Sequence, residues 1–116
     1  KIVRRQYFHF MDVMPPLLEV AGAEYPSVYR GKVRTPLEGV SMLPYMRDPN
    51  RVAEERLLFW QHETHAAVRK GDWKIVTDND RADRIAWELY NLANARSETA
   101  NGANEHPKVV NELSDD

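Results

Sequence analysis

Residues 59–76 read FWQHETHAAVRKGDWKIV, two runs rich in aromatic and branched side chains around a tight Lys70-Gly71-Asp72 turn. Gly71 permits the positive φ that a hairpin with a bulge requires. Trp73 and Ile75 alternate with Lys74, the period-two pattern of a half-buried strand. Outward from this hairpin, residues 57–63, 65–70, 73–77 and 86–92 are short runs of the same character separated by turn residues. They predict four strands in a mainly antiparallel sheet. Trp87 and Leu89 alternate with Glu88, which gives the sheet one apolar face, and Asn79-Asp80-Arg81-Ala82-Asp83 predicts a longer solvated loop before Trp87. A last helix starting at Pro107, where a missing N–H costs nothing, places Val109, Val110 and Leu113 on one side to cover that face. The fold class expected is α+β.

The region before the sheet has two parts. A run over residues 3–10 reads as a strand leading into a helix. Asp12 can accept from the free amides of its first turn, Pro15 and Pro16 are tolerated only that early, and Gly22 suits a left-handed cap. Val13, Leu17, Val20 and Ala21 share one face of this short helix, which needs a partner surface to be stable. Residues 23–56 form a connector broken by Pro26, Gly31, Pro36, Gly39, Pro44 and Pro49. Within it Ser41 can cap one helical turn over Ser41 to Met46, with Met42, Leu43 and Met46 as anchors. The division expected is therefore residues 1–22, 23–56 and 57–116.

Composition excludes several function classes. With 116 residues the chain holds one core at most, and no apolar run approaches the roughly 20 residues of a membrane span. Lys1 in place of an initiating Met points to processing or to a fragment. The net charge is −2 with both signs interspersed, so there is no basic stripe for a phosphate backbone and nucleic acid is not an expected partner. The absence of cysteine removes disulfides, thiolate metal sites and cysteine nucleophiles from these residues.

His62 and His65 are the candidate substrate-binding residues, because imidazole hydrogen-bonds anionic or sugar-like groups and both flank the Glu63-Thr64 turn. Three residues apart across a strand and a turn, they need not face one way. A metal site from His62, Glu63 and His65 lacks the helical i, i+4 spacing of H-E-x-x-H. Arg69, Lys70 and Lys74 offer positive charge, although cations on a strand's solvent face are ordinary. Trp60, Trp73 and Trp87 can stack on a sugar or aryl ring, but large aromatics in a small sheet usually build core, the role expected of Trp73 and Trp87. Asp72 completes a turn, and His9 with Asp12 secures a helix start.

Laid end to end, H-x-x-D-V-M-P at 9–15, LLEVAGAEYP at 17–26, P-x-x-G-x-S-x-x-P at 36–44, the hairpin, WELYNL at 87–92, SET at 97–99 and EHP at 105–107 resemble, as an ordered set, the C-terminal portion of bacterial arylsulfatases. Pro16, Gln61, Thr64 and Ala66 depart from the commonest form, the last three in a segment that faces the substrate entrance in that family. The resemblance implies the tail of a sulfatase of alkaline-phosphatase-like fold, hydrolysing an aryl or carbohydrate sulfate, with a formylglycine nucleophile and calcium contributed by sequence outside this chain. It implies no catalytic residue and no metal ligand here: Ser41 precedes a proline by three and Arg47 by six, the wrong spacing for C/S-x-P/A-x-R. The expected partners are the remainder of the catalytic domain and a sulfated small molecule or glycan, in a periplasmic or secreted protein. Two alternatives stay open, a free-standing noncatalytic binding module and the tail of a related phosphatase or phosphonate hydrolase.

An apolar helix face with no partner predicts self-association or low stability of the chain by itself. Sedimentation and thermal melting check this, and a monomeric, highly stable product would contradict it.

Overall fold

The computed structural model describes residues 6–52, 54–78 and 86–115. It divides into two units, residues 1–54 and 55–116. The secondary structure is α+β: helices, a small hairpin and a four-stranded antiparallel sheet.

The first unit is organised by Asp12. A 3-10 turn over Phe10–Val13 runs directly into helix α1, Met14–Ala21. His9, not Asp12, is the cap, and the reason is reciprocal bonding. The His9 Nδ1 accepts from the Met11 N–H at 3.3 Å, while Asp12 Oδ2 accepts from the His9 N–H at 2.7 Å. The fully buried Asp12 also accepts from the Val40 N–H through Oδ1 at 2.8 Å, so one carboxylate ties the helix start to the connector. Gly39 makes that approach possible: a Cβ there would lie 2.1 Å from the Met11 carbonyl oxygen. Of the expected strand over 3–10, residues 3–5 lie outside the described residues and 6–9 are irregular, because helical bonding begins at His9.

Pro15 and Pro16 fall in the first turn of α1, as their missing amides require. Gly22, at φ 62°, ends it in a Schellman arrangement, with Ala23 N–H bonding the Leu18 carbonyl at 2.9 Å and Gly22 N–H the Glu19 carbonyl at 3.3 Å. Val13, Leu17 and Val20 remain 40%, 58% and 72% exposed.

Two features of the connector differ from expectation. A hairpin joins β1 (Val28–Tyr29) to β2 (Lys32–Val33) through Arg30 and Gly31, both at positive φ, 50° and 76°. That is the type I′ geometry that matches strand twist. In helix α2, Leu43–Arg47, the Ser41 hydroxyl accepts from the Leu43 N–H at 3.3 Å, but Met46 is exposed and does not anchor the turn. Tyr45 packs instead, edge-on to Phe8 with ring centroids 5.7 Å apart.

The second unit is the sheet β3 (Leu57–His62), β4 (His65–Lys70), β5 (Trp73–Asp78) and β6 (Trp87–Asn91), paired in sequence order and antiparallel throughout. Lys70 pairs with Trp73 and every residue of β4 has one partner in β5, so the turn is a two-residue loop with no bulge. Gly71, at φ 58°, closes it. β3 stops at His62 because Glu63 turns left-handed at φ 53°. The expected loop at 79–83 lies outside the described residues.

Val68, Ile75 and Leu89 form one cross-strand row and pack with Leu113 of helix α3, Pro107–Asp115. Trp73, Trp87, Val109 and Val110 surround this core, as expected, and the Trp73 ring lies 5.1 Å from that of His106. The outer edge of β6 is sealed at Leu89, whose N–H donates to Asn101 Oδ1 at 3.1 Å and whose carbonyl accepts from the Gly102 N–H at 2.8 Å. Asn101 Oδ1 also accepts from the Ala103 N–H at 2.9 Å.

Replacing Asn101 with Ala strands the amide of a fully buried residue, so we expect a loss of about 1–3 kcal/mol in urea unfolding, with Asn101→Asp closer to wild type because it keeps an acceptor.

Candidate functional site

Alternation along the strands sends half of the side chains to the face opposite α3. On that face the register sets out three rows. Leu58, Arg69, Lys74 and Tyr90 lie across the sheet nearest the Gly71 turn; Trp60, Ala67, Val76 and Glu88 come next; His62 and His65 pair beside the Glu63-Thr64 turn. The second and third rows, with Glu98 from the segment after β6, line a groove of about 740 Å³ that Gln61, Ala66, Thr77 and Ala86 also border.

The two histidines are direct cross-strand partners, both exposed and both on the groove wall. Spacing alone did not require this. A two-residue turn after His62 makes residues i and i+3 a facing pair, and facing residues in an antiparallel ladder share a side. Between them the buried Thr64 Oγ1 has no hydrogen-bond partner among the described residues. Trp60 sits on the groove floor at 38% exposure, apart from the core-packed Trp73 and Trp87.

The cations have structural duties. Lys74 Nζ bonds Glu98 Oε1 at 2.7 Å, pinning the segment after β6 across the sheet at a residue whose φ is 52°. Arg69 Nε donates to the Gly71 carbonyl at 3.0 Å, and Lys70 belongs to the α3 face. Among the described residues that line the groove there is no lysine or arginine, and the charged side chains are Glu88 and Glu98.

Buried Tyr90 donates its hydroxyl to Glu88 Oε2 at 2.5 Å. That hydrogen bond, then burial, then the negative charges of Glu88 and Glu98 push the phenol up to about 12. Tyr90, Glu88 and Glu98 are the site residues that sequence reasoning missed. The alternation of Glu88 with Leu89 was a usable signal for its face; the place of Glu98 depends on a loop path that no periodicity encodes.

A sulfatase of Formosa agariphila is 32% identical over 113 residues, covering 88% of this chain and 20% of its own length. The chain is a distant homologue of sulfatases. An uncharacterized sulfatase of Schizosaccharomyces pombe is 26% identical over 114 residues, 97% of this chain and 21% of its own. The chain thus spans about a fifth of the length of these curated relatives. The fold resembles the solved structure of BT4656 in complex with its substrate D-glucosamine-2-N,6-O-disulfate, at a TM-score of 0.57 and 23% identity over 90% of this chain and 22% of that one. No family model matches the chain.

A sulfatase implies formylglycine and a metal ion, and the donor set here does not fit either. The chain has no cysteine and no serine in the required motif, and among the described residues no group of three or more His, Cys, Asp or Glu is placed to hold a metal. No step of ester cleavage is assigned to these residues.

Phenolate absorbance should report Tyr90 ionising at about pH 12, and Glu88→Gln should lower that value. The folded-state pKa lies above the unfolded one, so the associated stability is complete below about pH 10 and is lost as pH rises towards 12. Urea midpoints across that window check the sign, and a Tyr90→Phe variant should lose this part of the alkaline slope.

Proposed function

We propose that this chain is the C-terminal piece of a sulfatase, a sulfuric ester hydrolase whose catalytic residues lie in sequence outside it. Its role is to complete the fold and to form part of the substrate-pocket rim. Similarity along nearly the whole chain to a fifth of two sulfatases is the observation that carries this reading. Two structural features support it. Helix α1 presents Val13, Leu17 and Val20 outward, as a helix does when more chain packs on it. The sheet presents a groove with a histidine pair on its wall.

His62 and His65 are the proposed substrate contacts, with imidazole N–H groups donating to hydroxyl or sulfate oxygens. The substrate is an aryl or carbohydrate sulfate, and the carbohydrate class is favoured because BT4656, of similar fold, takes a sulfated glucosamine as its substrate. The remaining partner is the rest of the catalytic domain. By itself the chain hydrolyses nothing.

The test is protein from the complete gene: intact mass, then sulfate release from an aryl and a carbohydrate sulfate. A mass several times that of this chain, with activity, is the expected result; a mass matching these residues with no activity would overturn the reading. In the active enzyme, His62→Ala and His65→Ala should each raise KM roughly five- to tenfold, the size of one lost hydrogen bond, with kcat nearly held. A KM indifferent to both changes would remove the histidines from the substrate rim.

A further inference from the structure

The β1–β2 hairpin gathers charge onto one side. Residues 25–37 carry Arg30, Lys32 and Arg34 and no acid, in a chain whose net charge is −2. The register pairs Tyr29 with Lys32 and Val28 with Val33, and the Arg34 N–H donates to the Ser27 carbonyl at 2.8 Å, which continues the ladder by one pair. Paired residues of an antiparallel ladder share a face and successive ones alternate. One face of the hairpin therefore holds Tyr29, Lys32 and Arg34, and the other Val28 and Val33. Arg30, at the tip, has its guanidinium carbon 5.2 Å from the centre of the Tyr29 ring, which brings it to the basic face.

Arg30 holds φ 50° at the first position of the type I′ turn, where asparagine or glycine meets less strain. A left-handed arginine is an outlier of the kind that persists where the side chain has a task. Burying apolar surface is favourable and burying cations is costly, so polypeptide packed on the hairpin takes the valine side and leaves the basic side in solvent. Lys32 and Arg34, two residues apart on one strand, stand about 7 Å from each other along it. That spacing meets successive anionic groups of an extended polymer. Three cations fall short of the roughly 6–10 phosphate contacts of a typical nucleic-acid binder. A polymer already held elsewhere on the same protein needs only a weak second contact, because linkage makes that contact intramolecular.

We propose that the β1–β2 hairpin is an auxiliary docking element for a sulfated polysaccharide, with Arg30, Lys32 and Arg34 donating to sulfate oxygens of the polymer away from the ester that is cleaved. This rests on the reading of the chain as part of a sulfatase of carbohydrate sulfates. The bonds are charge-assisted, and the planar guanidinium of Arg30 can present two N–H groups to two oxygens of one sulfate.

Protein from the complete gene tests the assignment, titrated calorimetrically with dextran sulfate, unsulfated dextran and single-stranded DNA at several salt concentrations. Dextran sulfate should bind, dextran should not, and DNA should bind more weakly. Changing Arg30, Lys32 and Arg34 together to Gln should weaken dextran sulfate roughly tenfold, the scale of three exposed charge contacts. It should also lower the slope of log affinity against log salt by about two to three. Arg30→Asn suits the turn better, so it should melt no lower than wild type and still bind less tightly, which separates charge from hairpin integrity. Dextran sulfate affinity indifferent to the triple variant, equal binding of unsulfated dextran, or tighter binding of DNA overturns the proposal. Sulfate release from a small aryl sulfate should be equal in wild type and triple variant, and a slower variant overturns the auxiliary role. Release without dextran sulfate binding sinks the docking element alone, whereas binding through the hairpin in a protein that releases no sulfate sustains it and sinks the sulfatase reading.

Discussion

The cross-strand row Val68, Ile75 and Leu89 beneath Leu113 is the constraint from which the sheet unit follows. Each such side chain contributes about 1.5–3 kcal/mol when fully buried, and only one register places all three under α3. A slip of one residue would turn the set to the opposite face. Fixing that register simultaneously fixes the reverse face, so Trp60, the two histidines and Glu88 come together as a by-product of core packing.

The first unit obeys a different logic. Its organiser is a buried carboxylate, not an apolar cluster: Asp12 accepts from the His9 and Val40 amides, and Gly39 lets the connector approach closely enough to donate. Burial of a charge is costly unless hydrogen bonds replace its water, and two charge-assisted bonds to backbone amides do that. Meanwhile Met14, Leu17 and Val20 of α1, with Val13 just before it, are exposed.

Within the groove, charge is allocated before any ligand arrives. Lys74 goes to Glu98 and Tyr90 goes to Glu88, so the cations that the sequence offers near the hairpin hold structure in place. Net charge of the chain, −2, says nothing of this arrangement. What matters is that, among the described lining residues, the charged side chains are Glu88 and Glu98, while Arg69 and Lys74 lie one row away and Lys70 on the other face.

Sequence by itself determined the elements with a strong local signal. Four strands came from period-two alternation and turn residues, the last helix from Pro107, the cap of α1 from Gly22, and the membership of Trp73 and Trp87 in the core from their alternation with charged residues. The resemblance to sulfatases was legible for the same reason, since ordered short motifs survive where overall identity is 26–32%. Tertiary structure alone decided the rest. The β1–β2 hairpin needed Arg30 in a left-handed conformation that arginine does not advertise, and the bond from Asp12 to Val40 needed the connector to fold back onto the helix start. The pairing of His62 with His65 depended on a two-residue turn, and the place of Glu98 on a loop drawn in by Lys74. These are contacts between residues distant in sequence or conformations of single residues, and neither leaves a periodic trace that composition or spacing can carry.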